Sequence, residues 1–242
     1  MIRGFYTAAS GLIHENKRQE NIAQNLSNIE TNGFKQTLLT SISQSEATVR
    51  NQNGKHGVGS LTMKVGIDEA ILSLQQGTLK PTNNELDFAL SGNGFFTLEG
   101  PNGAIYTRDG SFGVDNQGRL VSKEGYPVLS DQGYVYVNDE KVASTQDGAL
   151  TVNGQTYQLS IVELPEIAGI TPLSANTYGY EGEPILATNF TLNQGMIEGS
   201  NVDATSEMVK MIESSRSFQM NSKVLQAMDQ IMAQSVSEIG RI

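Results

Sequence analysis

The sequence contains no cysteine, which excludes disulfides, thiol nucleophiles and cysteine-bound metal and leaves the redox compartment unmarked. It holds only two histidines, His14 and His56. His14-Glu15 opens like a zinc-protease pattern, but Arg18 occupies the second ligand position, so HExxH is absent and His14 reads as a solvent-facing helix residue. Gly92-Asn93-Gly94 starts like a dinucleotide loop, yet Thr97 stands where the third glycine belongs and no helix pattern follows, which leaves a hairpin. Neither GxSxG nor a Walker A sequence occurs. Asp68-Glu69 and Asp139-Glu140 read as solvated acids, and sequence spacing says nothing of the separation that glycoside hydrolysis needs. No run of about 18 apolar residues is present, so no segment can cross a membrane as a helix. Met1-Ile2-Arg3-Gly4-Phe5-Tyr6 also lacks the basic, apolar and small-residue regions of a cleaved secretory signal. The expectations are therefore no catalytic, cofactor-binding or metal residues, no small-molecule substrate, and export, if any, by a route without signal cleavage.

A net charge of −10 argues against nucleic acid as a partner, because a nucleic-acid binder needs a basic face. The distribution says more. Residues 1–35 carry a net +1 and residues 199–242 a net −1, so the middle holds the whole acidic excess. Near-neutral ends can pack together, whereas an acidic middle favours solvent and separation from its copies.

What the chain does contain is two long amphipathic ends. In residues 1–35, Ile2, Phe5, Ala9, Leu12, Ala23 and Leu26 keep 3-4 spacing, with Ile22 and Ile29 beside that stripe and Asn16 and Gln19 interrupting it. Asn32-Gly33 ends the helix, which should stop near Asn28 to Thr31. Residues 36–62, rich in Ser, Gln, Asn and Gly, read as a polar loop. From about residue 63 to 198 apolar residues alternate with period two: Phe88 and Leu90, Phe96 and Leu98, Phe112 and Val114, Tyr134 and Tyr136, then Tyr157, Leu159 and Ile161. Asn93-Gly94, Asn102-Gly103, Asp109-Gly110, Asp147-Gly148 and Asn153-Gly154 separate these runs as turns. That pattern predicts an antiparallel β domain without βαβ units. In residues 199–242, Asn201 or Asp203 caps a helix on which Val209, Ile212, Leu225, Met228, Met232 and Ile239 form an apolar face. Its methionines suit either a core stripe or an adaptable binding face. The expected fold is α+β, with the terminal helices packing as a coiled pair and a central antiparallel β domain between them. Gln76 to Asn83 also echoes Gln194 to Asn201, which would mark where the chain enters and leaves the β domain. Asn25-Leu26-Ser27 and Asn189-Phe190-Thr191 match the glycosylation tripeptide, a weak pattern, and the first lies on a helix stripe that a glycan would block.

Several stretches together resemble the flagellar axial proteins of the basal-body rod and hook. Ile22-Ala23-Gln24-Asn25-Leu26-Ser27-Asn28-Ile29-Glu30-Thr31-Asn32-Gly33-Phe34-Lys35 is similar to the family's ANNLANxxTxGFK motif, departing at Gln24 and Ser27. Gln76-Gly77-Thr78-Leu79 through Leu86-Asp87-Phe88 to Phe96 resembles QGxLxxTxxxLDxAIxGxGFF. Tyr106-Thr107-Arg108-Asp109-Gly110-Ser111-Phe112 and Asp115 to Val121 resemble YTRxGxF and DxxGxLV, and Gln194 to Asp203 with Glu207-Met208-Val209 completes the series. The match covers residues 1–35, 75–125 and 193–242, while 36–74 and 126–192 match poorly.

The resemblance implies a non-enzymatic subunit of the rod, because hook proteins carry a longer middle than this chain has room for. It implies self-assembly with other axial proteins, export by the type III apparatus, and the flagellar basal body as location. The assembly interface expected from it and from the stripes comprises Ile2, Phe5, Leu12, Ile22, Asn25, Leu26, Asn28, Gly33, Phe34, Asn201, Val202, Val209, Ile212, Leu225, Met228 and Met232. Thr31 to Lys35 and Tyr106 to Gly110 lean toward the distal rod type, and overall brevity with Phe5-Tyr6-Thr7-Ala8 toward the proximal. A hook-type subunit, or a surface fibre protein with trimeric coiled-coil ends, stands as the alternative. Lacking a partner, the free ends are expected to be largely disordered.

Overall fold

A computed structural model describes the backbone of residues 2–50, 57–138 and 141–239, and side chains over 4–40, 70–138 and 141–237. The chain divides into two compact units. The first comprises Met1–Leu26, Thr37–Ile71 and Asp203–Ile242, and the second Ser27–Gln36 and Leu72–Val202.

The first unit contains α1 (Ile2–Ser27), β1 (Thr37–Arg50), β2 (Gly57–Leu72) and α2 (Ala204–Ile239). At a rise of 1.5 Å per residue α2 is roughly 54 Å long. Asp203 caps it, its carboxylate accepting from Ser206 N at 3.0 Å and Thr205 N at 3.4 Å; the sequence had left Asn201 as the other choice. β1 and β2 pair as a two-stranded sheet. They occupy most of the stretch expected to be a polar loop, residues 36–62, of which 51–56 lie outside the described residues. The polar composition suggested a loop, but Thr37, Thr40, Ile42, Thr48 and Val49 are β-branched and favour extended backbone.

The second unit is all-β and antiparallel. Its strands are β3 (Leu79–Pro81), β4 (Phe88–Gly92), β5 (Phe95–Gly100), β6 (Gly103–Thr107), β7 (Gly113–Val114), β8 (Leu120–Val121), β9 (Leu129–Ser130), β10 (Gly133–Tyr134), β11 (Val142–Ser144), β12 (Ala149–Val152), β13 (Gln155–Gln158), β14 (Ile161–Glu163), β15 (Ile170–Pro172), β16 (Thr177–Tyr180), β17 (Ile185–Leu186), β18 (Phe190–Gln194) and β19 (Met196–Glu198). Six of them form one sheet in the order β15-β16-β6-β5-β14-β17. Period-two alternation sends neighbouring side chains of β5 to opposite faces. Phe96 and Leu98 join a large core with Phe88, Leu90, Phe112, Leu120, Val128, Val135 and Leu150. Phe95 joins a smaller core with Leu72, Tyr106, Val162, Leu164, Ile170 and Tyr178.

Asn153 and Gly154 both take positive φ, 49° and 79°, and turn β12 into β13 as two-residue hairpins require. Around Tyr134 and Tyr136 the core residues are their neighbours. Tyr136 is 42% exposed, while Val135 and Val137 are buried, so the valines carry the core and the tyrosines the outside. The echo between Gln76–Asn83 and Gln194–Asn201 has a structural counterpart: β3 and β19, which lie in them, pair with Leu79 opposite Glu198.

Candidate functional site

Within the first unit, the contacts between described residues of α1 and α2 run in opposite numbering directions, so the helices are antiparallel where they meet. Asn25 Nδ2 reaches Glu207 Oε2 at 3.4 Å. Ser214 Oγ donates to Glu15 Oε2 at 2.7 Å. A Cβ on Gly11 would stand 3.0 Å from Asn221 Nδ2, and one on Gly4 2.6 Å from Met228 Cε. On α2 the contacting residues, Glu207, Ser214, Asn221 and Met228, recur every seven residues. Small and polar residues make several of these contacts, and α1 also buries Ala8 and Ile22. Asn25, 1% exposed, also exchanges both hydrogen bonds with the backbone of Thr37, at 3.0 and 3.1 Å, and so mimics a strand partner at the start of β1.

This arrangement corrects the stripes read from sequence. On α1, Ile22 is buried, but Phe5, Leu12 and Leu26 are only half-buried and Ala23 is exposed. The side chain of Ile2 lies outside the described residues. The seam is displaced by about one residue because Gly4 and Gly11 permit close approach where larger side chains do not. On α2 the single expected face splits. Leu225, Met228 and Met232 lie on the partly covered side, whereas Val209 and Ile212 are 51% and 53% exposed. Thirteen residues separate Ile212 from Leu225, and 13 steps of roughly 100° return to a different side of the helix. His14, expected to face solvent, is mostly covered, its Nδ1 3.9 Å from Glu15 Oε1.

Within the second unit, three chain segments meet at one carboxylate. Glu198 is fully buried; its Oε1 accepts from Lys35 Nζ at 2.7 Å and Gly77 N at 2.8 Å, and its Oε2 from Arg108 Nη1 at 3.3 Å. Lys35 Nζ also donates to Gln75 O at 2.8 Å, and Lys35 N to the Tyr178 hydroxyl at 3.1 Å. Arg108 donates to Gly92 O and lies over the Phe95 ring, 5.1 Å from its centroid. Two cations thus face one carboxylate in the interior. Burial lowers the Lys35 pKa, with Glu198 opposing the shift, and lowers that of Arg108 in the same way. Burial raises the Tyr178 pKa well above the usual phenol range.

The predicted residues around this cluster hold the same segments. Gly33 takes φ +69°, its N–H donates to Glu198 O at 2.8 Å, and a Cβ there would come 2.3 Å from Asp109 N. Phe34 and Val202 are buried. Asn201 accepts from Gln36 N at 2.7 Å and donates to Ser73 O and Gln75 O, both at 2.9 Å. Asn28 accepts from Thr31 N and Thr31 Oγ1, closing the turn after α1. Sequence reasoning missed Lys35, Arg108, Glu198 and Glu207. The available signal was a lone charge following apolar or glycine residues, as in Gly33-Phe34-Lys35 and Met196-Ile197-Glu198.

Residues 5–35 match the family model described as flagella basal body rod protein. Residues 89–163 match the flagellar hook protein FlgE/F/G D1 domain, and 193–238 the flagellar basal body rod FlgEFG protein C-terminal model. The flagellar basal-body rod protein FlgG of Buchnera aphidicola subsp. Schizaphis graminum is 34% identical over 99% of this chain and 100% of its own length. The FlgG protein of Borreliella burgdorferi is 31% identical over 96% of this chain and 97% of its own. The FlgG protein of Bacillus subtilis is 29% identical over 98% and 99%. With helical ends, an intervening antiparallel domain and full-length similarity at this level, the chain belongs to the flagellar basal-body rod protein family.

Proposed function

We propose that this chain is a structural, non-enzymatic subunit of the bacterial flagellar basal-body rod. Its terminal helices pack as a coiled pair and polymerise helically with copies and with other axial proteins, forming a tube that transmits torque. The observation that carries this reading is the full-length similarity to rod proteins together with apolar helix residues left outward. Tyr6, Ile13, Val209, Ile212, Met220, Val224 and Ile231 are between 46% and 67% exposed. That apolar surface is available to neighbours, and heterologous contacts of this kind repeat into filaments instead of closing. The acidic excess of the second unit suits an outer radius, where like charges stand farther apart. Export by the type III apparatus without signal cleavage completes the reading.

A deletion strain tests it. Electron microscopy of its basal bodies should show rods that stop short, without hook or filament, and a plasmid copy should restore them. Normal hooks and filaments in the deletion strain would reject the proposal. The stopping point also separates distal from proximal position, which the sequence motifs divide between them.

A further inference from the structure

Five Asn-Gly pairs occur in the chain, at 32–33, 53–54, 93–94, 102–103 and 153–154. Glycine, lacking Cβ, offers the least hindered backbone nitrogen to a preceding asparagine, and attack of that nitrogen on the side-chain amide carbon closes a succinimide ring. The step needs an unbonded glycine N–H, a free and solvated asparagine amide, and an asparagine backbone able to reach negative ψ. Asn53-Gly54 lies outside the described residues, and the other four pairs meet these needs unequally. Gly33 N donates to Glu198 O at 2.8 Å and the glycine is wedged against Asp109, so Asn32-Gly33 is blocked. Asn102-Gly103 closes the β5–β6 hairpin, where Gly103 is the ladder partner of Gly100 and is released only by fraying. Asn153 sits at φ 49° in the turn between β12 and β13, the left-handed region, where ψ is positive.

Asn93-Gly94 is different. The hairpin expected there does not form: β4 pairs with β18, whereas β5 pairs with β6 and β14, so the connection crosses between sheets and no ladder closes it. Asn93 is exposed and outside the left-handed region, and neither its amide nor the Gly94 N–H has a hydrogen-bond partner among the described residues. A cation stands close by. Arg108 donates to Gly92 O at 2.8 Å, one residue before the pair, and lines the same cavity as Asn93 and Gly94. Its charge stabilises the negative charge that develops as Gly94 N gives up its proton and the amide oxygen is loaded; Glu163, on the same wall, offsets part of this. We propose that Asn93 is the site of spontaneous deamidation among the described residues. Gly94 N bonds to Asn93 Cγ and loses its proton, the Cγ–Nδ2 bond breaks, and ammonia leaves with that proton. Water then opens the imide: attack at Cγ restores the backbone and leaves aspartate, and attack at the main-chain carbonyl carbon leaves isoaspartate. Either product adds a carboxylate to a cavity walled by Arg108, whose Nε is buried and without a partner among the described residues. Isoaspartate also lengthens by one atom the connection whose Gly92 carbonyl holds Arg108. No enzyme reverses the step in the isolated chain, so the extent of conversion records how long a subunit has been folded.

The purified full chain is aged at physiological temperature and mildly alkaline pH, folded and, in parallel, unfolded in guanidinium. Peptide mapping by tandem mass spectrometry follows the gain of one dalton at each asparagine, and chromatographic separation of the converted peptides distinguishes aspartate from isoaspartate. In guanidinium Asn32, Asn93, Asn102 and Asn153 should convert at comparable rates, because each precedes glycine and no fold intervenes. In the folded chain Asn93 should convert several-fold faster than the other three, with both products present. Each folded rate divided by its unfolded rate isolates the contribution of structure from that of sequence. Protection of Asn93 to the degree seen at Asn32 would overturn the proposal, as would a folded chain in which Asn102 or Asn153 leads or all four convert alike.

Discussion

Glu198 holds together groups that are distant in sequence, with Lys35 163 residues away and Arg108 90. Replacing its carboxylate by an amide leaves two buried cations without a counter-charge, and breaking a buried pair in this way costs about 3–5 kcal/mol. E198Q should therefore lower the unfolding free energy of the second unit by that order, read from urea titration of its tyrosine fluorescence. Tyr178 sets a second expectation. Its folded pKa is raised, so above the unfolded value of about 10 the unfolded chain releases a proton that the folded one keeps. Stability then falls with rising pH by roughly 1.4 kcal/mol per unit. Lys35 acts with the opposite sign, because its folded pKa is lowered, and it adds stability as pH rises toward about 10.4. Y178F should flatten the alkaline decline in melting temperature; an unchanged slope would show that Tyr178 does not cause it. At this scale the turn at Gly33 was legible, because turn glycines announce themselves locally, whereas the capping role open to Asn201 falls to Asp203. Lys35, Arg108 and Glu198 were not, since nothing near a charged residue says which distant one it will meet.

Both helices were legible as elements, because 3-4 spacing shows over a few turns. Which face would be covered was not. Gly4, Gly11 and Ser214 look inert in a hydrophobicity pattern, yet they set how closely the helices approach. Hairpin turns marked by Asn-Gly and Asp-Gly were readable, whereas β1 and β2 were hidden by Ser and Gln content. A prediction belongs here. The double substitution I212S/V224S changes only half-exposed positions, so helical content by circular dichroism should be unchanged while sedimenting polymer is lost. A fall in helicity would instead mean that these residues support α2 within the chain.

The molecule as a whole places its acidic excess in one unit and its long helices in the other. α2 leaves apolar residues such as Ile212 and Val224 about half exposed, so pairing within one chain offsets only part of the roughly 1–2 kcal/mol per residue lost on ordering. Trypsin should accordingly cut the free subunit at Lys17, Arg18, Arg216 and Lys223 first. Lys35, 1% exposed and bonded to Glu198, should resist for as long as Arg108 does, although it lies in the terminal segment. Mass spectrometry of the fragments decides the matter, and early cleavage at Lys35 would count against the buried cluster.

The polypeptide passes from one unit to the other four times, at 26/27, 36/37, 71/72 and 202/203. A domain hung on a single peptide can swivel about its bonds and let a twist escape. Here the chain ties the two units at four points, so a cut at any one of them leaves three covalent ties.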